Sequence, residues 1–246
     1  MLNHPDFDNY DLSSLRCCTV GGQTMPKPKM VEVEQRFGCP LIELWGMTEI
    51  GGLGSTFASN GLVKHGSIGI ALPYTEARIA DTEDASTTMP LGEVGELMIK
   101  GGIVMQEYYG NEKATKETIE PDGWMHTGDL ASIDEDGCIF IVDRKKDMIL
   151  TAGFNVYPAE IERVVAGHPD VALVAVGSIA DETKGELAKA YIVPKTGVSP
   201  NSDSIIAYCR EHLAAYKVPR AVQFVDDLPK TSTGKVMRRE LKKLDA

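Results

Sequence analysis

The stretch LRCCTVGGQTMPKPKMVEVEQRFGCPLIELWGMTE, residues 15–49, decides the fold class. Leu15–Val20 is a short apolar run cut by Gly21–Gly22, and it predicts a buried strand. Lys27–Phe37 follows with Met30, Val31, Val33 and Phe37 available for the buried side of a helix. Pro40–Trp45 is a second apolar run, followed by the turn-forming Gly46 and Gly51–Gly52. Strand, helix and strand at this spacing predict a βαβ unit, because parallel strands need a long crossover between them.

Outward from this unit the texture changes. Between Gly66 and Val142, short alternating runs such as TEARIAD, GELMIKG and GCIFIVD are separated by Gly, Asp and Pro. That pattern predicts an antiparallel sheet or a small barrel, with Asp136–Gly137 as a hairpin turn. After DRKKD, Asp143–Asp147, the pattern resets. MILTAGFNVYP predicts a hairpin closed by Gly153, and Pro158 suits the first turn of a helix over Ala159–Gly167. VALVAVG and AKAYIVP predict strands, DSIIAYCREHLAAY a helix and AVQFVDD another strand. The expected architecture is α/β plus α+β in two bodies. Residues 1–145 form the first, a βαβ unit in α/β over 1–65 and mainly β over 66–145, expected as a distorted antiparallel barrel; residues 146–246 form a small mobile domain, with a hinge near 143–147.

Composition narrows the function. The 246 residues are 43% hydrophobic and 25% charged, which is ordinary globular usage. A net charge of −11 argues against nucleic acid as a partner, since phosphate backbones need cationic surface. No apolar run approaches the ~20 residues of a membrane span, and the start has no basic-then-apolar signal region. Cys17, Cys18, Cys39, Cys138 and Cys209 lack metal-ligand spacing and suit reduced thiols, so a cytoplasmic location is expected.

Single motifs leave alternatives open. LWGMTE, Leu44–Glu49, puts an aromatic, a hydroxyl and a carboxylate where α/β sheets bind ligands, or it is a strand end with a helix-capping Thr48. Asp129 in GWMHTGD is a turn residue on local grounds. TSTGK ends on Lys235, ahead of a basic run containing Arg238, Arg239, Lys242 and Lys243. That run reads equally as an anion site or a solvated helix face. A Walker loop is excluded, because Pro229 and Val236 stand at its first Gly and its Ser/Thr.

The ordered set is more specific. GGQTMP, LWGMTE, GELMIKG with YYGNEKAT, DGWMHTGDLASIDEDG, DRKKDMILTAGFNVYPAEIE and LPKTSTGK together closely resemble the adenylate-forming superfamily, specifically the C-terminal half of its AMP-dependent acyl-CoA synthetases. The resemblance covers essentially the whole chain. It implies that a carboxylic acid, best a medium- or long-chain fatty acid, attacks ATP to give acyl-adenylate and pyrophosphate. Coenzyme A then displaces AMP. It implies Lys235 at the carboxylate and α-phosphate, Asp129 on the ribose hydroxyls and Arg144 on the same nucleotide. Trp45 would stack on adenine and Thr48 would meet a phosphate oxygen. Glu49 would hold Mg²⁺. Gly21, Gly22 and Gln23 would border adenine and acyl group, with Gly46 and Met47 beside them. Lys146 would be the hinge residue. Gly153 would let the pantetheine arm pass, and Phe154, Tyr216 and Arg220 would meet coenzyme A.

The superfamily's Ser/Thr/Gly-rich loop with its phosphate-binding lysine has no counterpart here. The implied chain is therefore a fragment with weak adenylation alone, a tendency to self-associate, and the rest of the enzyme as a partner. The alternatives are an acyl-AMP ligase serving a carrier protein and a non-catalytic nucleotide- or CoA-binding remnant.

Overall fold

The computed structural model describes residues 4–22, 25–59, 61, 63–232 and 234–245. They divide into two compact units, Met1–Ile141 and Val142–Ala246.

In the first unit, β1 (Cys18–Gly21) and β2 (Leu41–Trp45) run parallel, in register from Cys18 opposite Leu41 to Gly21 opposite Leu44. The crossover is α1 (Lys27–Phe37), so the βαβ unit forms as its spacing required. Pro28 sits in the first turn of α1, where a missing N–H costs nothing, and Gly38 ends the helix at φ 70°, its N–H on the Glu34 carbonyl. Fully buried Met30 anchors the helix. β3 (Ser55–Thr56) extends this sheet antiparallel to β2, and β4 (Ile70–Ala71) pairs antiparallel to β3.

A second sheet holds β5 (Thr75–Ala80), β6 (Gly95–Gly101), β7 (Met125–Ile133) and β8 (Ile139–Arg144), in that order. α2 (Glu112–Thr118) lies between β6 and β7, and its start is capped by the Asn111 side chain on Ala114 N–H. The expected distorted barrel does not form: among the described residues the sheet is open. Four strands do not curl far enough for β5 to meet β8, so both stay at the edges. Its core joins Leu97, Ile99, Met125 and Ile139 to Trp45 and Ile50 from the end of β2.

The second unit is built on alternation. β9 (Ile149–Thr151) and β10 (Phe154–Val156) form a hairpin; β11 (Val171–Asp181) and β12 (Gly185–Pro194) form a longer antiparallel pair. β13 (Ala221–Phe224) runs parallel to β12. Val176, Ala188, Ala190 and Ile192 point to one face, where α3 (Pro158–Val165) and α4 (Ser202–His212) bring Ile161, Val165, Ile205 and Cys209. Each fully buried Ile or Val there contributes roughly 1.5–3 kcal/mol. Ala175 and Tyr191 point to the other face, covered by Leu228 and Leu241. Leu241 belongs to a closing 3₁₀ helix, Arg238–Asp245. Asp245 ties that helix back by accepting from Tyr191 Oη at 2.9 Å and Lys189 Nζ at 2.7 Å. No helix among the described residues is long and apolar enough to cross a membrane.

Candidate active site

Gly21 and Gly46 stand at the same end of two parallel strands, the end where α/β sheets receive ligands. Both positions exclude side chains. A Cβ on Gly21 would lie 2.9 Å from the Leu44 carbonyl oxygen, and one on Gly46 would lie 1.9 Å from that of Gly52. The loop after β2 folds tightly because Gly52 N–H reaches the Met47 carbonyl at 3.0 Å and Gly54 N–H reaches that of Trp45 at 2.8 Å. Gly22 takes φ 83°, and Gln23 lies outside the described residues.

This loop carries Thr48 and Glu49 on a 3₁₀ turn, Thr48–Ile50, pinned by buried Ile50. Thr48 is exposed and Met47 half-buried. Glu49 is half-buried; its main-chain oxygen accepts from Met105 N–H at 2.7 Å, and its Oε1 accepts the Tyr108 hydroxyl at 2.7 Å. That bond to a carboxylate raises the Tyr108 pKa. Tyr108 is a site neighbour that sequence reasoning missed, since nothing local links it to Glu49. Among the described residues no three His, Cys, Asp or Glu side chains form a metal cage. One carboxylate fits Mg²⁺ better than a metal needing a full protein set, because Mg²⁺ keeps several waters and shares substrate phosphates.

Asp129 comes to the same place from a distortion in β7. Glu96 pairs with Leu130 and Met98 with His126, so Thr127, Gly128 and Asp129 bulge opposite Leu97 alone. Gly128 absorbs the bend at φ 70°. Thr127 Oγ1 donates to the Leu97 carbonyl at 2.6 Å and accepts from Asp129 N–H at 3.1 Å. Asp129 is 6% exposed, and its Oδ2 accepts the Trp45 indole N–H at 2.8 Å. Trp45, expected to stack on a base, is itself 9% exposed, packed in the core and aimed by its N–H at Asp129. Beneath the bulge, His126 bridges Glu96 at 3.1 Å and Glu120 at 2.9 Å, while Glu96 also accepts Gly128 N–H at 3.2 Å.

The remaining candidates lie in the second unit. Ala152 and Gly153 close the β9–β10 hairpin at φ 49° and 84°, the pair of positive angles that a two-residue type I′ turn requires. No atom outside its immediate neighbours lies within 4 Å of where a Gly153 Cβ would be. Phe154 stacks on Tyr216 with centroids 4.6 Å apart and 24° between planes, although both rings are largely exposed. Arg220 is exposed nearby in sequence, its main-chain N–H on the Ala188 carbonyl at 2.9 Å. Arg144, just before the 3₁₀ turn Lys145–Asp147, and Lys146, within it, are both exposed.

Lys235 is exposed and forms no ion pair among the described residues. The residues flanking its loop pair with one another. Lys230 and Val236 form an antiparallel bridge, and the Lys235 carbonyl accepts Thr231 N–H at 2.8 Å. Arg238, read as part of a basic run, instead turns inward to Asp143, Asp147 and Glu162.

Known proteins resemble this chain in sequence and in fold. The AMP-binding enzyme family matches residues 1–109, and the AMP-binding enzyme C-terminal domain matches residues 160–235. The chain belongs to the adenylate-forming, AMP-binding superfamily. The long-chain-fatty-acid–CoA ligase of Salmonella typhimurium is 43% identical over 242 residues, 98% of this chain and 42% of that protein. ATP-bound MatB from Rhodopseudomonas palustris superposes with a TM-score of 0.86 at 33% identity, covering 92% of this chain and 44% of its own. The o-succinylbenzoate CoA synthetase of Bacillus subtilis, in complex with its acyl-adenylate, gives 0.83 at 35% identity over 93% of this chain and 46% of its own. The chain thus spans less than half the length of these three relatives.

Proposed function

We propose that this chain carries the AMP-handling and thioester-forming part of an AMP-forming acid–thiol ligase. The reaction converts a carboxylate, ATP and coenzyme A to acyl-CoA, AMP and pyrophosphate through an acyl-adenylate. The observation that carries the reading is buried Asp129: at a β-bulge its main-chain N–H donates to Thr127 Oγ1, and its carboxylate accepts from Trp45, which ends a strand of the parallel pair.

In this reading Asp129 accepts both ribose hydroxyls, a task that suits a two-oxygen acceptor. Trp45 fixes the orientation of that carboxylate and lends the edge of its ring to the base, with Gly21, Gly22, Gln23, Gly46 and Met47 around them. Arg144 adds a contact to the nucleotide. Thr48 donates to a phosphate oxygen. Mg²⁺, when bound, neutralises phosphate charge, and Glu49 with the Tyr108 hydroxyl behind it would hold it. Lys235 supplies the cation that meets negative charge growing on the α-phosphate as the carboxylate attacks. A preorganised charge of that kind is strongly stabilising in a dry site.

For the second half, Lys146 is the residue whose backbone absorbs the domain rotation, and Gly153 leaves room for the pantetheine arm. The exposed Phe154–Tyr216 stack with Arg220 offers an aromatic surface and a cation to the nucleotide end of coenzyme A. That surface favours free coenzyme A over a carrier protein, which has no such nucleotide. The acid is a medium- or long-chain fatty acid, supported by the name of the Salmonella relative.

The test supplies palmitoyl-AMP and coenzyme A to the purified chain, so that no pyrophosphate-side group is needed. Palmitoyl-CoA and AMP should form together, and Tyr216→Ala with Arg220→Ala should raise the KM for coenzyme A about tenfold. Hydrolysis of palmitoyl-AMP without thioester, by a folded sample, would overturn the assignment.

A further inference from the structure

Arg238 lies three residues beyond Lys235, and its side chain makes the densest ion-pair network in the second unit among the described residues. Its Nη1 reaches Asp143 Oδ1 at 2.8 Å and Asp147 Oδ2 at 3.2 Å. Its Nε and Nη2 reach Glu162 Oε1 at 3.0 Å and Oε2 at 2.6 Å, the bidentate fork in which arginine surpasses lysine.

Each carboxylate is already committed to a structural element. Asp143 is 1% exposed at its side chain; its Oδ2 accepts Ala159 N–H at 2.7 Å in the first turn of α3, and its Oδ1 accepts Arg144 N–H at 2.7 Å. Glu162, on α3, accepts Val176 N–H at 2.8 Å at the outer edge of β11. Asp147 ends the 3₁₀ turn that contains Lys146. One guanidinium therefore joins the 143–147 segment, α3 and the chain just after Lys235.

We propose that Arg238 is a positioning residue for Lys235: it fixes the Lys230–Val236 hairpin to the 143–147 segment, so that the two move as one body. The proposal rests on the role given to Lys235 above. The geometry favours this over simple stabilisation. Packing of Leu241 and the Asp245 bonds to Tyr191 and Lys189 already hold the far end of the closing helix. Arg238 acts at the near end, where the chain leaves the sheet face and turns into the hairpin. The hairpin's own bonds, Gly234 N–H to Thr231 O at 2.9 Å and Met237 N–H to Pro229 O at 2.8 Å, close the loop upon itself; Leu228 and Val236 rest its base on the Tyr191–Leu241 face, and Arg238 adds the tie to the 143–147 segment.

The test compares wild type, Arg238→Met and Arg238→Lys by amide hydrogen exchange. Arg238→Met should speed exchange at Thr231, Gly234, Lys235 and Met237 about tenfold while α4 and β12 keep their protection, and Arg238→Lys should fall between. Unchanged hairpin protection, or equal loss throughout the unit, would overturn the proposal. A kinetic arm uses palmitoyl-AMP in two directions. With pyrophosphate, palmitate and ATP form by the Lys235 half-reaction, and Arg238→Met should lower kcat about 10- to 100-fold with little change in KM. With coenzyme A the thioester half should change less than about twofold. Equal losses in both halves would also count against the proposal. If wild type performs only the thioester half, the exchange pattern alone decides whether Arg238 directs the hairpin; if it performs neither half, the assigned function fails and the exchange pattern still decides.

Discussion

The Trp45 indole N–H donates to Asp129 Oδ2 at 2.8 Å, across 84 residues of sequence and inside the core of the first unit. A buried carboxylate that loses its donor keeps the whole cost of its desolvation. Trp45→Phe preserves most of the packing and removes the bond, so it should lower unfolding stability by about 1.5–3 kcal/mol. It should also weaken AMP binding, because Asp129 Oδ2 loses the donor that orients it. Urea unfolding and AMP titration of the same preparation check both; an unchanged midpoint would show that the bond contributes nothing.

The Tyr108–Glu49 bond gives a titration. The phenol is raised above its ordinary pKa of 10, chiefly by its hydrogen bond to Glu49. A raised folded-state value means that the stabilisation is complete below pH 10 and is lost as pH rises through the folded value. Glu49→Gln should move this phenol back toward 10 and flatten that alkaline loss. Ultraviolet difference titration, with Tyr108→Phe to identify the signal, reads the shift directly.

Cys209 predicts a second alkaline effect in the other unit. Its side chain is fully buried, and burial pushes the thiol up to about 11 from 9.0. The neutral thiol's contribution is full below pH 9.0 and fades toward pH 11, a loss on the order of 1–2 kcal/mol. Denaturant midpoints measured from pH 8 to 11 should fall, and Cys209→Ala should start lower from its cavity but fall less steeply. At pH 8, thiol reagents should label partly exposed Cys17 and Cys18 well before buried Cys209.

Ala152 carries backbone strain at φ 49° in the turn before Gly153. Ala152→Gly relieves a left-handed cost of about 1–2 kcal/mol and gives back part of it as unfolded-state entropy of about 0.4–1 kcal/mol. The net expectation is a small gain in thermal midpoint. Gly153→Ala acts in the opposite direction at φ 84° and should lower the midpoint. A gain from Gly153→Ala would contradict the turn type.

Legibility in the sequence followed locality. The βαβ unit, the Ala152–Gly153 hairpin and the alternation of β11 and β12 are written in neighbours two to four positions apart, and the structure forms each of them. The DSIIAYCREHLAAY helix was placed correctly but ends at His212, because Leu213 turns extended. The pairings that matter at the candidate site were not local. Trp45 with Asp129, Glu49 with Tyr108, and Arg238 with Asp143 bring together groups 84, 59 and 95 residues apart. A charge run such as RRELKK gives no sign that its first arginine is drawn inward. Likewise TSTGK has the composition of an open loop, and only the Lys230–Val236 bridge and the Thr231–Lys235 bond reveal a closed hairpin. The β7 bulge depends on Gly128, which in sequence is one glycine among 24.

The central claim is that Asp129 forms a nucleotide site in this chain, and calorimetric titration with a non-hydrolysable acyl-adenylate analogue, palmitoyl-sulfamoyl-adenosine, tests it most directly. Wild type should bind one equivalent, and Asp129→Ala should bind about 10²- to 10⁴-fold more weakly with its fold intact, on the scale of two lost charge-assisted hydrogen bonds. Equal affinity in the two proteins, or binding that survives replacement of the adenosine by a simple alkyl group, would contradict the account.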